Sequence, residues 1–314
     1  MTASPVPLAP ARALARWFLA TAGVTWLLIC LGALVRAKQA GLACPDWPLC
    51  HGAVIPDLRL EGVPYEYGHR VLAGFVSIAF AVGGVRARRI RDIWSHVRRP
   101  IVAGAALLVT QVVFGGLTVL LVHKGSGAAR PEWWPVVVHL LLGNAFAALM
   151  LWVGLDLRAL GSPTPAPPAL PPSPPATRAL LALWSALLLA QFVLGGAVSS
   201  HVIGLICTEF PTCNGGVWFP AWSGYLGLQV FHRLAAYALV GSALALVRAA
   251  RQDPRMRGPA RALAGLVGLQ VVIGAANVLS LVHAAVTTAH SAVAALLFAG
   301  TVLGWRALRT TRRP

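Results

Sequence analysis

Residues 66–85 read EYGHRVLAGFVSIAFAVGGV. The stretch opens on a carboxylate, an imidazole and a guanidinium, Glu66, His69 and Arg70, and then stays uncharged to Val85. Glu66 and His69, three residues apart, share one face of a helix. An apolar run of this kind spans a membrane, and ionisable groups there are expensive enough to mark function. Residues 229–246 echo it as QVFHRLAAYALVGSALAL. The echo keeps His232 and Arg233 and puts Gln229 where the carboxylate stood. Both the fold and the function follow from that likeness and that one difference.

The rest of the chain has the same character. Of 314 residues, 57% are hydrophobic and 11% charged, against about 25% charged in a soluble domain. The net charge of +17 would suit nucleic acid, but its placement excludes that partner. Arginines gather at 86–99, 248–261 and 306–313, between apolar runs, and alternate with arginine-poor loops. This is the positive-inside pattern, so the charge reports topology and the partner is membrane lipid. The expectation is an all-α membrane protein of about eight transmembrane helices, arranged as two parallel-repeat four-helix bundles. The expected divisions are a cytoplasmic tail (1–16), an amino-terminal bundle (17–160), a proline-rich cytoplasmic linker (161–176), a carboxy-terminal bundle (177–306) and a basic cytoplasmic tail (307–314). The first apolar run has basic flanks and spanning length, so it reads as a retained anchor. The expected location is the plasma membrane, with both termini cytoplasmic and the cysteine loops outside.

The two halves repeat at an offset of 163. Cys44 falls on Cys207, Cys50 on Cys213, His69 on His232, Arg70 on Arg233 and Gly32 on Gly195. Further on, Gln111-Val112-Val113 resembles Gln270-Val271-Val272 at an offset of 159. Each half holds an even number of helices, so the repeats run parallel about an axis along the membrane normal. Loop proximity favours local pairing of Cys44 with Cys50 and Cys207 with Cys213, on an oxidising side of the membrane.

Four of the nine histidines have matching positions, His69, His139, His232 and His290, each about a turn into an even-numbered helix. One pair per half, from facing helices, is the arrangement that ligates a haem iron axially in a bundle. No close cluster supplies the three or four ligands that zinc requires. The bland alternative is a set of polar residues bridging helices. Arg70 and Arg233 follow ligand candidates and suit anionic haem propionates. Arg36 is a further candidate, or else snorkels to the interface. Glu66 either serves the chemistry, by relaying protons, stabilising positive charge or orienting water, or pairs with a nearby arginine.

These features together resemble the haem A synthase family over nearly the whole chain. The resemblance rests on the eight-helix duplication, the Glu-x-x-His-Arg motif at Glu66, His69 and Arg70, the later histidines and the paired loop cysteines of bacterial members. It implies that His69 and His139 ligate the substrate haem O, and that His232 and His290 hold a haem b cofactor. It implies that Glu66 is catalytic and that the Cys44–Cys50 disulfide is linked to function. The implied reaction oxidises the C8 methyl of haem O to the formyl group of haem A. Two hydroxylations give a gem-diol that loses water, for cytochrome oxidase biogenesis. Haem O synthase and the oxidase assembly machinery are the expected partners, and the electron donor stays open, with a quinol among the candidates. The alternatives are a diheme electron carrier of cytochrome b type and a non-catalytic haem carrier.

Overall fold

The computed structural model describes residues 8–123, 129–163 and 171–309. Parts of the expected tails and of the linker lie outside these residues. Eight helices are long and apolar enough to cross a membrane. They are α1 (Leu8–Ala37), α2 (Val63–Arg88), α3 (Arg91–Leu120), α4 (Trp133–Leu160), α5 (Pro175–Ser200), α6 (Gly224–Ala249), α7 (Arg257–Leu279) and α8 (Ala284–Leu308). A two-stranded antiparallel ribbon, β1 (Val122–His123) with β2 (Arg130–Pro131), sits in the α3–α4 connection. The sequence carried no sign of it.

Several helices are longer than their apolar runs. α1 begins at Leu8 rather than near residue 17, and α3 at Arg91 rather than near 101. Apolarity marks only the part in hydrocarbon. The alanine- and arginine-rich flanks are good helix formers and carry the helix on past it.

Helices α1 to α4 pack in a ring, each on the next and α4 back on α1. Helices α5 to α8 form a second ring. The halves meet where α1 packs on α8, α4 on α5, and α4 on α8. Exchanging α1 with α5 and α4 with α8 turns the first contact into the second and leaves the third in place. The interface therefore has the symmetry of the sequence repeat. The closure of the rings differs. α1 packs extensively along α4, where a Cβ on Gly154 would lie 2.7 Å from Leu19. α5 touches α8 far less, and a Cβ on Gly304 of α8 would lie 3.4 Å from Leu181.

Each ring has its packed core at the arginine-rich end. In the first half Leu14, Phe18, Phe80, Ile93, Met150 and Leu157 interlock. In the second, Leu181, Trp184, Leu246, Met256, Leu263 and Leu297 do so, and Trp184 Nε1 donates to Thr301 Oγ1 at 2.7 Å. The opposite end, capped by the cysteine loops, holds the buried Glu66, Ser200 and Gln229.

Candidate functional site

The site is built from pairs of neighbouring helices. Each of the four histidines rests against a glycine on the preceding helix, which leaves room for the ring. A Cβ on Gly32 would lie 2.9 Å from His69, on Gly115 3.1 Å from His139, on Gly195 3.0 Å from His232, and on Gly274 3.2 Å from His290. The first is closer than real side chains come, and the other three are tight enough that the imidazole would have to shift. The glycines recur with the sequence repeat: Gly32 with Gly195 at the offset of 163, and Gly115 with Gly274 at the offset of 159 that also relates Gln111 to Gln270.

Within each ring the two histidines come from helices that do not adjoin, α2 with α4 and α6 with α8. The rings of His69 and His139 lie within electrostatic reach of one another, as do those of His232 and His290. Two imidazoles approaching from opposite sides of a bundle suit a flat ligand between them. Glutamines join them. Gln111 Nε2 lies 3.3 Å from His139 Nε2, and His139 Nδ1 lies 3.1 Å from the Gln111 carbonyl. In the second half Gln270 Nε2 lies 3.1 Å from His290 Nε2.

Several polar atoms on the helices that carry these histidines and glutamines are buried with no hydrogen-bond partner among the described residues. They include His232 Nδ1, His290 Nδ1, Gln229 Oε1, Gln270 Oε1 and Tyr237 Oη in the second half, and Gln111 Oε1 in the first. Such groups destabilise an empty interior. Opposed imidazoles, glycine seats and unsatisfied polar atoms fit a haem. Among the described residues no three His, Cys, Asp or Glu side chains cluster as a metal site.

Each chamber lies under a disulfide loop, Cys44–Cys50 and Cys207–Cys213. Both arginines of the motif clamp these loops. Arg70 donates to the carbonyls of Cys44, Asp46 and Leu49. Arg233 donates to those of Cys207, Glu209, Pro211 and Thr212. Asp46 and Glu209 are equivalent residues that fold the loops internally. Asp46 accepts from the His51 and Gly52 N–H groups, and Glu209 from those of Gly215 and Gly216. The Gly52 N–H, then that of His51 and the charge of Arg70, hold the Asp46 carboxyl below its ordinary range. The Gly216 N–H, followed by Gly215, does the same for Glu209.

Glu66 is 5% exposed. Its Oε1 pairs with Arg70 at 2.6 Å, and its Oε2 accepts the Cys44 N–H at 2.9 Å. The arginine pairing that the sequence left as one alternative is therefore present, with a bond to the disulfide loop beside it. A carboxylate in the first turn also complements the α2 dipole. Gln229 is equally buried, its Oε1 unpartnered. Only the first half ties its loop to the helix through an acid.

Arg36 lies at the seam between halves and donates Nε to Ser199 Oγ at 2.8 Å. The two positions are repeat equivalents, 163 apart. The terminal nitrogens of Arg36 have no hydrogen-bond partner among the described residues.

Sequence reading missed the role of Gln111 and Gln270. They stood out only as a repeated Gln-Val-Val. It also missed Gly274, which the offset of Gly115 would have given.

Comparison with known proteins agrees with this geometry. The COX15-CtaA family, described as cytochrome oxidase assembly protein, matches residues 15–61 and 63–302. The chain is 28% identical to the heme A synthase of Rhizorhabdus wittichii over 348 aligned positions, covering 93% of this chain and 94% of that protein. It is 32% identical to the heme A synthase of Halalkalibacterium halodurans over 215 positions, 68% of each chain. It is 30% identical to that of Geobacillus thermodenitrificans over 319 positions, 95% of this chain and 93% of the other. A duplicated bundle with two glycine-seated histidine pairs, matched by one family along almost its whole length, places this chain in the COX15-CtaA family beside the haem A synthases.

Proposed function

We propose that the two chambers divide the labour of haem A synthesis, with substrate in the first half and a resident haem b in the second. The chain is a membrane oxidoreductase that converts haem O to haem A. His69 and His139 hold the substrate haem, and His232 and His290 hold the haem b. When bound, the haem b supplies one-electron chemistry. The observation that carries the division is Glu66 against Gln229, an acid present beside one histidine pair and absent beside its repeat. A diheme electron carrier has no use for that difference.

The protein's own groups have separable tasks. Glycine seats let the imidazole rings lie close against the preceding helices. Arg70 and Arg233 fasten the loops that roof the chambers and exclude water. Arg36, with terminal nitrogens to offer at the seam, is the better-placed partner for a propionate; Arg70 and Arg233 would have to exchange loop carbonyls to bind one. Glu66 is placed to take a proton as the C8 methyl is oxidised, passing its share of Arg70 to the loop carbonyls meanwhile. We orient the arginine-rich ends to the cytoplasm of a plasma membrane, with both termini there and the disulfides outside. The substrate then comes from a haem O synthase in the same membrane, and the product goes to cytochrome oxidase assembly.

The experiment is to remove one pair at a time. His232→Ala and His290→Ala should lose the resident haem b yet still bind haem O. His69→Ala and His139→Ala should keep haem b and lose haem O. Loss of haem b from the first-half variants alone would reverse the assignment.

A further inference from the structure

The ligand reading above leaves a difficulty. If both first-half histidines held the substrate haem, one of them would have to let go before a small molecule could reach its iron. A buried imidazole that leaves with no new partner is heavily penalised. The structure supplies such a partner to only one of the two.

His139 is held at both ring nitrogens by one residue. Its Nδ1 faces the Gln111 carbonyl at 3.1 Å, and its Nε2 faces the Gln111 side-chain nitrogen at 3.3 Å. A carbonyl only accepts, so Nδ1 carries the proton and Nε2 the lone pair, which the amide N–H caps. That lone pair is the one an iron would take. Amide and iron therefore compete for it. The dock is built on two glycines. Gly115 admits the ring, and on α4 a Cβ at Gly143 would lie 3.0 Å from Gln111 Nε2.

His69 has its glycine seat but no hydrogen-bond partner among the described residues. The second half has half a dock. Gln270 meets His290 Nε2 at 3.1 Å, but His290 Nδ1 is buried without a partner. The position equivalent to Gly143 is Ala294. Gln270 therefore offers His290 Nε2 the same kind of cap, but the ring lacks the second hydrogen bond that orients His139.

We propose that His139 is the exchangeable ligand of the substrate haem and that Gln111 is the positioning residue that receives it when it leaves the iron. This rests on the haem reading above and adds to it which ligand opens.

The test uses the purified full chain carrying His232→Ala and His290→Ala, so that only the first chamber binds, with ferrous haem b and carbon monoxide as probes. Gln111→Leu removes the competitor. Haem affinity should rise about fivefold, and the share of haem that takes carbon monoxide should fall by about the same factor, as loss of one hydrogen bond implies. A merely structural glutamine would give the opposite, a loss of affinity. Gln111→Met keeps the side-chain length and serves if the leucine variant folds poorly. Haem binding with unaltered or increased carbon monoxide reactivity in the Gln111 variants overturns the inference alone. No haem binding with Gln111 intact overturns the haem reading and the inference with it.

Discussion

At the scale of single residues, function is concentrated where the repeat breaks. Glu66 has two jobs in one carboxylate, a bond to the Cys44 N–H and a pair with Arg70. Glu66→Gln keeps the shape and can still accept from the loop, but it gives up proton transfer. We expect it to retain haem in both chambers and to lower haem A formation about 100-fold, the size of a lost general base; extracted haems from normalised membranes measure this. Full haem A output from that variant would remove Glu66 from the chemistry. The glycine seats give a second prediction. Gly115→Leu drives a side chain into the His139 ring and should cost about 1–3 kcal/mol by overpacking. Thermal unfolding of the haem-free chain reads that cost, and haem titration should show weakened first-chamber binding. The four histidines stood out in the sequence because all of them recur at matched positions in the two halves. The dock on Gln111 was not, because a linear sequence does not say what faces a side chain across a helix pair.

At the scale of elements, the two disulfide loops look alike in sequence and differ in how they are tied down. Both are clamped by an arginine, but only the first is also bonded by a helix carboxylate. Cys44→Ser should therefore lower activity more than Cys207→Ser does, because the loosened loop releases Glu66 from its place. Equal losses, measured as haem A per bound haem b, would argue against that coupling. The loops also make a pH prediction. The carboxyls of Asp46 and Glu209 are depressed by backbone N–H groups. A group whose folded value is depressed contributes order above its unfolded value and loses it as pH falls through the folded one. Both loops should stay ordered from neutral pH down past the ordinary carboxylate range near about pH 4, and loosen only in stronger acid. Protease accessibility of the loops during acid titration follows this, and loosening already at pH 6 would contradict it. The eight helices were legible from apolarity, and their true lengths were not. Hydropathy stops where lipid stops, while the helical backbone of α1 and α3 continues through arginine-rich turns.

At the scale of the whole molecule, the structure is two bundles joined along α1, α4, α5 and α8. Polar bonds fasten that seam at both ends: Arg36 to Ser199 near the cysteine loops, and Arg306 to Asp156 at 2.9 Å near the basic end. Trp26 Nε1 adds a bond to the Ala292 carbonyl at 3.1 Å. Coexpressed fragments 1–165 and 171–314 should therefore associate and co-purify, and fragments that separate on mild detergent extraction would show that the linker holds the halves together. The duplication could be read from offsets alone, including the pairing of the halves about one axis. The tighter closure of α1 on α4 than of α5 on α8 could not, because it depends on how Gly154 and Leu19 meet. The most direct test of the division between a substrate chamber and a resident-haem chamber is a haem extraction. The full chain is coexpressed with a haem O synthase, as wild type and as His69→Ala and His290→Ala, and the extracted haems are separated by chromatography. The account predicts haem A with haem B from the wild type, haem B without haem A from His69→Ala, and loss of haem B from His290→Ala. Haem B alone from the wild type, or haem A persisting at full level in His69→Ala, would contradict it.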